Sequence, residues 1–206
     1  MNYVALFGRS SLNDFSSLLS NALGSNAQAV GRQLQNWDAD DLLNTPEEEI
    51  SERLVREGTV HCPRLLTDQA EMLDATEVDM DYMDFGERRT RRVTRMVLAV
   101  PFEGERVIFT LRADTSSSNP PRVLRLNAHE LHLVVDDPPA DGAQLRAQFD
   151  DQIAKIEQHL AWSRSQIDRH NQRVRDELPK LVAERREQLL ATRKLQSDTG
   201  YPTRGQ

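Results

Sequence analysis

The chain has 206 residues, of which 38% are hydrophobic and 29% charged, with a formal net charge of −7. This length supports one sizeable domain, or one domain with an extended arm, and the polarity points to long solvated helices or a large surface. The acidic balance excludes a molecule built throughout to bind nucleic acid. The lone cysteine, Cys62, excludes an internal disulfide framework, and no window approaches 18 apolar residues, which excludes a membrane-spanning helix.

Residues 1–58 read as a helical cap. Leu12, Phe15, Leu18, Leu19, Ala22 and Leu23 fall on one helical stripe, with Ser10 or Ser11 available as N-cap. Val30, Leu34 and Trp37 predict a second short helix. Thr45-Pro46-Glu47-Glu48 predicts a third, opened by a capping box with proline at the first helical position and stopped at Gly58. The opening residues carry no basic segment followed by an apolar core, so a cytoplasmic protein without a secretory signal is expected.

Residues 60–136 change period. Val78, Met80 and Tyr82 alternate with Glu77, Asp79 and Asp81, the pattern of a half-buried strand. Arg92 to Val100 reads as a longer strand and Pro101 to Glu105 as a turn. Val107, Phe109 and Leu111 predict another strand, and Val123 to Leu126 with Leu131 to Val135 predict a hairpin around Asn127-Ala128. These spacings favour antiparallel neighbours, because parallel pairs need long crossovers.

A helical stretch is expected from Asp141-Gly142 to about Leu195. Leu145, Phe149, Ile153, Ile156, Leu160, Ile167 and Val174 step by threes and fours, with Ser163 and His170 interrupting the stripe. Pro179 is expected to kink or split the helix, and Leu178, Leu181, Val182 and Leu189 carry the stripe onward. An unbroken helix here would span ~80 Å at ~1.5 Å per residue. Such a helix either folds back near Pro179 or projects and pairs with another chain. Residues 196–206 read as a linker or frayed end.

The charge pattern offers the strongest functional clue. Arg88, Arg89, Arg91, Arg92 and Arg95 fall within eight residues. The preceding residues 68–87 hold eight acids and no lysine or arginine. If the two segments pair as a hairpin around Asp84-Phe85-Gly86-Glu87, arginines lie across from carboxylates and the patch is neutralised internally. Otherwise the arginines are free for a nucleic acid or an acidic protein partner. No aromatic residue interleaves them along the strand, so no base-stacking platform is expected. Arginine outnumbers lysine 23 to 3, which weakens the significance of any single arginine.

The remaining candidates are weaker. Glu77, Asp79 and Asp81 share a strand face and could hold a divalent ion, against the reading of a solvated or arginine-paired face. His129-Glu130-Leu131-His132 lacks zincin spacing. His61 and Cys62 diverge in extended chain, so a cysteine nucleophile would need another histidine. There is no Gly-rich phosphate loop, nucleophile elbow or zinc cysteine pair. Asp84-Phe85-Gly86 is read as a turn. No catalytic residue, metal or cofactor is assigned.

Leu42-Leu43-Asn44-Thr45, Pro101-Phe102-Glu103-Gly104-Glu105, Asn119-Pro120-Pro121-Arg122, Leu160-Ala161-Trp162 and Ala183-Glu184-Arg185-Arg186 occur in this order over most of residues 1–205. In this the chain resembles the N-terminal region of a family of uncharacterised bacterial proteins, longer members of which continue into a restriction-endonuclease-like domain of the Mrr kind. The resemblance implies a role beside nucleic-acid cleavage, in defence against foreign DNA. It carries no catalytic residue over. The lysine of such sites follows an acid by two residues, and here Ile153, Leu178 and Thr192 precede Lys155, Lys180 and Lys194 at that distance.

The expectation is an α+β protein: helical cap, antiparallel sheet of about five strands at 60–136, and a C-terminal helical arm at 140–195 kinked near Pro179 and packed on the sheet. It is read as a non-enzymatic interaction or regulatory module, with a nuclease domain or another protein as partner. A homodimer through the arm is expected at Ile167, Val174, Leu178 and Leu181. Nucleic-acid binding through the arginine strand and the basic helix end at Arg185, Arg186, Arg193 and Lys194 is the alternative.

Overall fold

A computed structural model describes residues 3–7, 18–117 and 119–201. In chain order the elements are β1 (Val4–Ala5), α1 (Leu19–Gln35), α2 (Ala39–Asn44), α3 (Glu47–Gly58), β2 (Arg64–Leu65), β3 (Glu71–Met72), β4 (Thr76–Asp84), β5 (Glu87–Glu103), β6 (Arg122–Val123), β7 (Arg125–Leu126), β8 (Glu130–Asp136) and α4 (Gly142–Asp198). The protein is α+β, with an antiparallel sheet and a long C-terminal helix. It divides into two compact units, Met1–Asn21 with His61–Gln166, and Ala22–Val60 with Ile167–Gln206. The first residues belong with the sheet unit, not with the helical one. Val4 pairs with Val123, and Leu6 and Phe7 are buried in the sheet's core.

In the sheet unit β1 pairs with β6 as a separate two-stranded sheet, and the six-stranded sheet is organised around β5. β5 pairs antiparallel with β4, β3 and β2 in turn, and with β8, which continues to β7. Val97, Ala99, Val100 and Phe102 of β5 and Leu131, Leu133 and Val135 of β8 are buried. Phe149, Ile156 and Leu160 of α4 share one core with Val100, Phe102, Leu131, Leu133 and Val135. Each fully buried side chain of this size contributes about 2 kcal/mol. α4 opens as expected, with Asp141 Oδ1 accepting from the Ala143 N–H at 2.9 Å.

Two expectations fail here. β5 runs through Pro101 to Glu103, so the turn falls later. Gly104 makes it, at φ 97°, where an added Cβ would lie 2.9 Å from the Cys62 carbonyl oxygen. Arg106–Thr110 is a 3₁₀ turn, not a strand. Ile108 and Phe109 are both buried while Val107 is exposed. Consecutive inward residues cannot share one strand face, whereas a tight helical turn accommodates them.

In the helical unit Val30, Leu34, Leu42, Ile50, Leu54, Val174, Leu178 and Val182 form one core. The two predicted N-terminal helices are one, α1, which carries Leu19, Leu23, Val30 and Leu34. Ser10, Ser11, Leu12 and Phe15 lie outside the described residues. Asp38 caps α2 by accepting from the Asp40 and Asp41 amides at 2.8 and 3.0 Å. The capping box at Thr45 does not form. Pro46 is the N-cap without a side-chain bond, and Glu47, Glu48 and Glu49 complement the dipole instead.

The polar residues that interrupt the α4 stripe are buried and satisfied. Ser163 Oγ donates to the His159 carbonyl at 3.1 Å, and His170 Nε2 lies 3.1 Å from the Gly58 carbonyl. Beside the stripe, Asn171 accepts from the Val60 N–H at 3.0 Å and donates to the Val60 carbonyl at 2.9 Å. α4 continues through Pro179 to Asp198, so the chain does not fold back there. The predicted dimer seam is corrected. Ile167, Val174 and Leu178 are buried within the chain, Val174 and Leu178 in the core shared with α1, α2 and α3, and only Leu181 is exposed.

Candidate functional site

The distal half of β5 and all of β4 form a two-stranded ribbon. Asp84 and Glu87 close it around Phe85 and Gly86, at φ 46° and 86°. Two successive positive φ values make a turn whose twist suits a hairpin. Glycine adopts this conformation freely, whereas phenylalanine does so at a cost. Phe85 is fully exposed and Met83 is 69% exposed, so no packing offsets that cost.

Directly opposed residues project to the same face. The register Asp79↔Arg92, Met80↔Arg91, Asp81↔Thr90 and Tyr82↔Arg89 therefore sorts the side chains. One face carries Glu77, Asp79, Asp81 and Met83 with Arg88, Thr90 and Arg92. The other carries Val78, Met80 and Tyr82 with Arg89, Arg91, Val93 and Arg95. No aromatic residue interleaves the arginines along β5, but one lies across the ribbon from them. Tyr82 comes from the opposite strand, and the Arg91 guanidinium lies 5.8 Å from its ring centroid.

Each of the five arginines meets a carboxylate. Arg88 pairs with Asp81 at 2.5 Å, Arg89 with Asp84 at 2.9 Å, and Arg92 with Glu77 at 3.0 Å. Arg91 reaches Asp137 at 2.5 Å. Arg95 is no surface residue. Its side chain is 6% exposed and grips Asp136 with two bonds of 2.6 and 2.7 Å, while the Tyr3 hydroxyl donates to the same carboxylate at 2.7 Å. These bonds to Arg95 hold the Asp136 carboxyl below the ordinary carboxylate range. Asp81 is likewise lowered, first by its bond from Arg88 and then by Thr90.

The other candidates are separated or occupied. Glu77 and Asp81 of the acidic triplet are turned to arginines, and among the described residues no group of three His, Cys, Asp or Glu side chains could hold a metal ion. His132 Nε2 lies 2.7 Å from Glu130 Oε1 on the same strand face, and bonds from Asn127 and then His132 lower Glu130. Cys62 Sγ faces the Leu160 carbonyl at 3.7 Å. His159 stacks on Phe7, with ring centroids 4.8 Å apart, and burial pushes its pKa below the ordinary range.

The basic helix end is also broken up. Arg186 donates to the carbonyls of Leu42, Leu43 and Thr45, closing the C-terminus of α2, and Arg193 pairs with Asp40. The sheet unit also carries a groove of about 650 Å³ lined by Met72, Met96, Leu98, Leu145, Phe149 and Ile153. Among the described residues no helix is long and apolar enough to cross a membrane.

Sequence reasoning missed Tyr82, Met83, Phe85, Asp136 and Asp137 as parts of this region. The first three were within reach, because counting outward from a two-residue turn at Phe85-Gly86 fixes the register. Asp136 at the end of β8 and Asp137 just beyond it arrive from about 40 residues away.

The ribbon and its sheet define an α+β protein with an exposed, internally ion-paired hairpin. No family model, curated protein or solved structure matches this chain.

Proposed function

We propose that this protein is a non-enzymatic interaction module that offers the β4–β5 ribbon to a protein partner. The observation that carries this reading is the tip: a fully exposed phenylalanine held at positive φ, beside exposed Met83 and Tyr82. A residue that breaks the local rule of its turn and packs against nothing is better suited to a partner than to the fold. Aromatic residues, methionine and arginine are also the types enriched in protein interfaces. The setting beside a nuclease or in an anti-phage assembly rests on the sequence resemblance, and the cytoplasmic setting on the opening residues of the sequence.

The second reading is a nucleic-acid contact through Arg89 and Arg91 beside Tyr82. Phosphates would have to displace Asp84 and Asp137 from those arginines, and Glu77, Asp79 and Asp81 lie on the opposite face. The protein reading is therefore preferred.

Phe85→Asn tests it. Asparagine tolerates this turn position, so the fold should be kept or stabilised by about 1 kcal/mol. Wild type and variant are immobilised and offered lysate from the native host. At least one protein retained by wild type should be lost with the variant at an unchanged or higher melting temperature. Identical retained sets would sink the reading. For the nucleic-acid reading, anisotropy with duplex DNA across a salt series should give a log–log slope near −0.9 per phosphate contact; flat, weak binding removes it.

A further inference from the structure

Among the described residues the outer edge of β4 is an open strand edge: β4 pairs only with β5, over nine residues from Thr76↔Arg95 to Asp84↔Glu87. In a two-residue hairpin the closing residues hydrogen-bond to each other, and bonded and non-bonded pairs then alternate. Val78, Met80 and Tyr82 therefore spend their backbone groups on β5. Glu77, Asp79, Asp81 and Met83 point theirs outward. The opposite edge confirms this parity, because the Thr94 carbonyl, across from Glu77, accepts from the Asp137 N–H at 2.9 Å on the side away from β4.

Such an edge is a template for another strand. Its side chains restrict what can join. Glu77 is turned to Arg92 and Asp81 to Arg88, while the Asp79 carboxylate between them has no ion pair or hydrogen bond among the described residues. Two copies joined antiparallel through β4 about Met80 would set Asp79 opposite Asp81 twice, and like charges directly opposed are destabilising. A parallel in-register pair would oppose three carboxylates with three. An incoming strand with basic residues at those positions reverses the sign, and its intervening side chains would lie over half-buried Val78 and Met80.

We propose that the β4 edge receives an extended segment of a partner protein as an added antiparallel strand, with lysine or arginine opposite Glu77, Asp79 and Asp81 and apolar residues between. The proposal rests on the reading of the ribbon as a protein-docking arm, and names the kind of segment that docks.

The probe is a capped nonapeptide of alternating lysine and valine, followed by residue-resolved amide exchange of the full chain. The amides of Asp79 and Asp81 should slow at least tenfold, while those of Met80 and Tyr82, already in the ladder, stay unchanged. A peptide N-methylated at its lysines keeps the charge but loses the inward N–H groups, and should protect nothing. Asp79→Lys should weaken the parent peptide at least tenfold, and a glutamate–valine peptide should not bind. Equal binding of the N-methylated peptide would reduce the edge to a general acidic surface and overturn strand addition. Protection of Asp79 and Asp81 by raising the protein concentration alone would overturn it in favour of a second copy. Loss of a partner with Phe85→Asn, without peptide protection at the edge, leaves the docking-arm reading standing and this one fallen; the reverse pattern separates them the other way.

Discussion

β5 is one strand under two regimes. From Arg95 to Glu103 it has neighbours on both sides, and Val97 and Ala99 on one face and Val100 and Phe102 on the other are buried. From Glu87 to Thr94 β4 is the one strand paired with it among the described residues, and every residue but Val93 is exposed. The backbone is equally extended in both halves. What differs is whether apolar area or ion pairs occupy the side chains, and these are unequal in strength. Burial contributes about 2 kcal/mol per large side chain. Exposed ion pairs contribute about 0–1 kcal/mol each. The inner half belongs to the core, while the outer half is a ribbon held together locally and free to present its surface.

Phe102→Ala should expose this asymmetry most strongly. Phe102 is 3% exposed and meets Phe109 edge to face, with ring centroids 4.8 Å apart. Truncation removes apolar contacts and leaves a cavity, at a cost of about 4 kcal/mol. Denaturant unfolding should report that loss. A loss below ~1 kcal/mol would mean the inner half is no better anchored than the ribbon.

The boundary between the regimes is Arg95 with Asp136. Removing one partner of a largely buried pair leaves the other charge uncompensated, so Asp136→Asn should cost about 3 kcal/mol near neutral pH. Acid adds a signature. Arg95 holds the Asp136 carboxyl low, opposed by burial and helped by Tyr3. A depressed carboxyl binds fewer protons folded than unfolded. Its contribution is complete above the ordinary value of about 3.9 and is lost as pH falls through the folded value. The variant should lose that part of the acid limb in a pH series of chemical denaturation. Two parallel limbs would show that the pair does not couple to folding.

The sheet was legible in the sequence wherever alternation was strict, as at Val78-Met80-Tyr82 and Leu131-Leu133-Val135. It failed where apolar residues ran together, and Val107 to Phe109 became a tight helical turn. The division of the arginines was recoverable in part. The turn at Phe85-Gly86 implies that Asp79 faces Arg92 and Tyr82 faces Arg89, but only if the turn length is accepted first. The partners Asp136 and Asp137 depend on β8 lying beside β5, which no local pattern encodes. The burial of Val174 and Leu178 was missed for a related reason. A stripe on α4 looks the same whether another chain covers it or α1, α2 and α3 do.

The smallest expected effect sharpens the contrast most. Arg92 and Glu77 approach to 3.0 Å across the ribbon, with side chains 71% and 65% exposed. Two long side chains held in water gain little Coulomb energy and lose rotamer freedom. A double-mutant cycle with Arg92→Ala and Glu77→Ala should give a coupling of about 0.5 kcal/mol, read from the exchange of the ribbon's own amides rather than from global unfolding. At 1 M salt the screening length falls to about 3 Å and the coupling should vanish. Global stability should stay within ~0.5 kcal/mol in either single variant. A coupling several times larger, or one insensitive to salt, would mean that the ribbon's charges support the fold as the core does, and that its surface is not available to a partner.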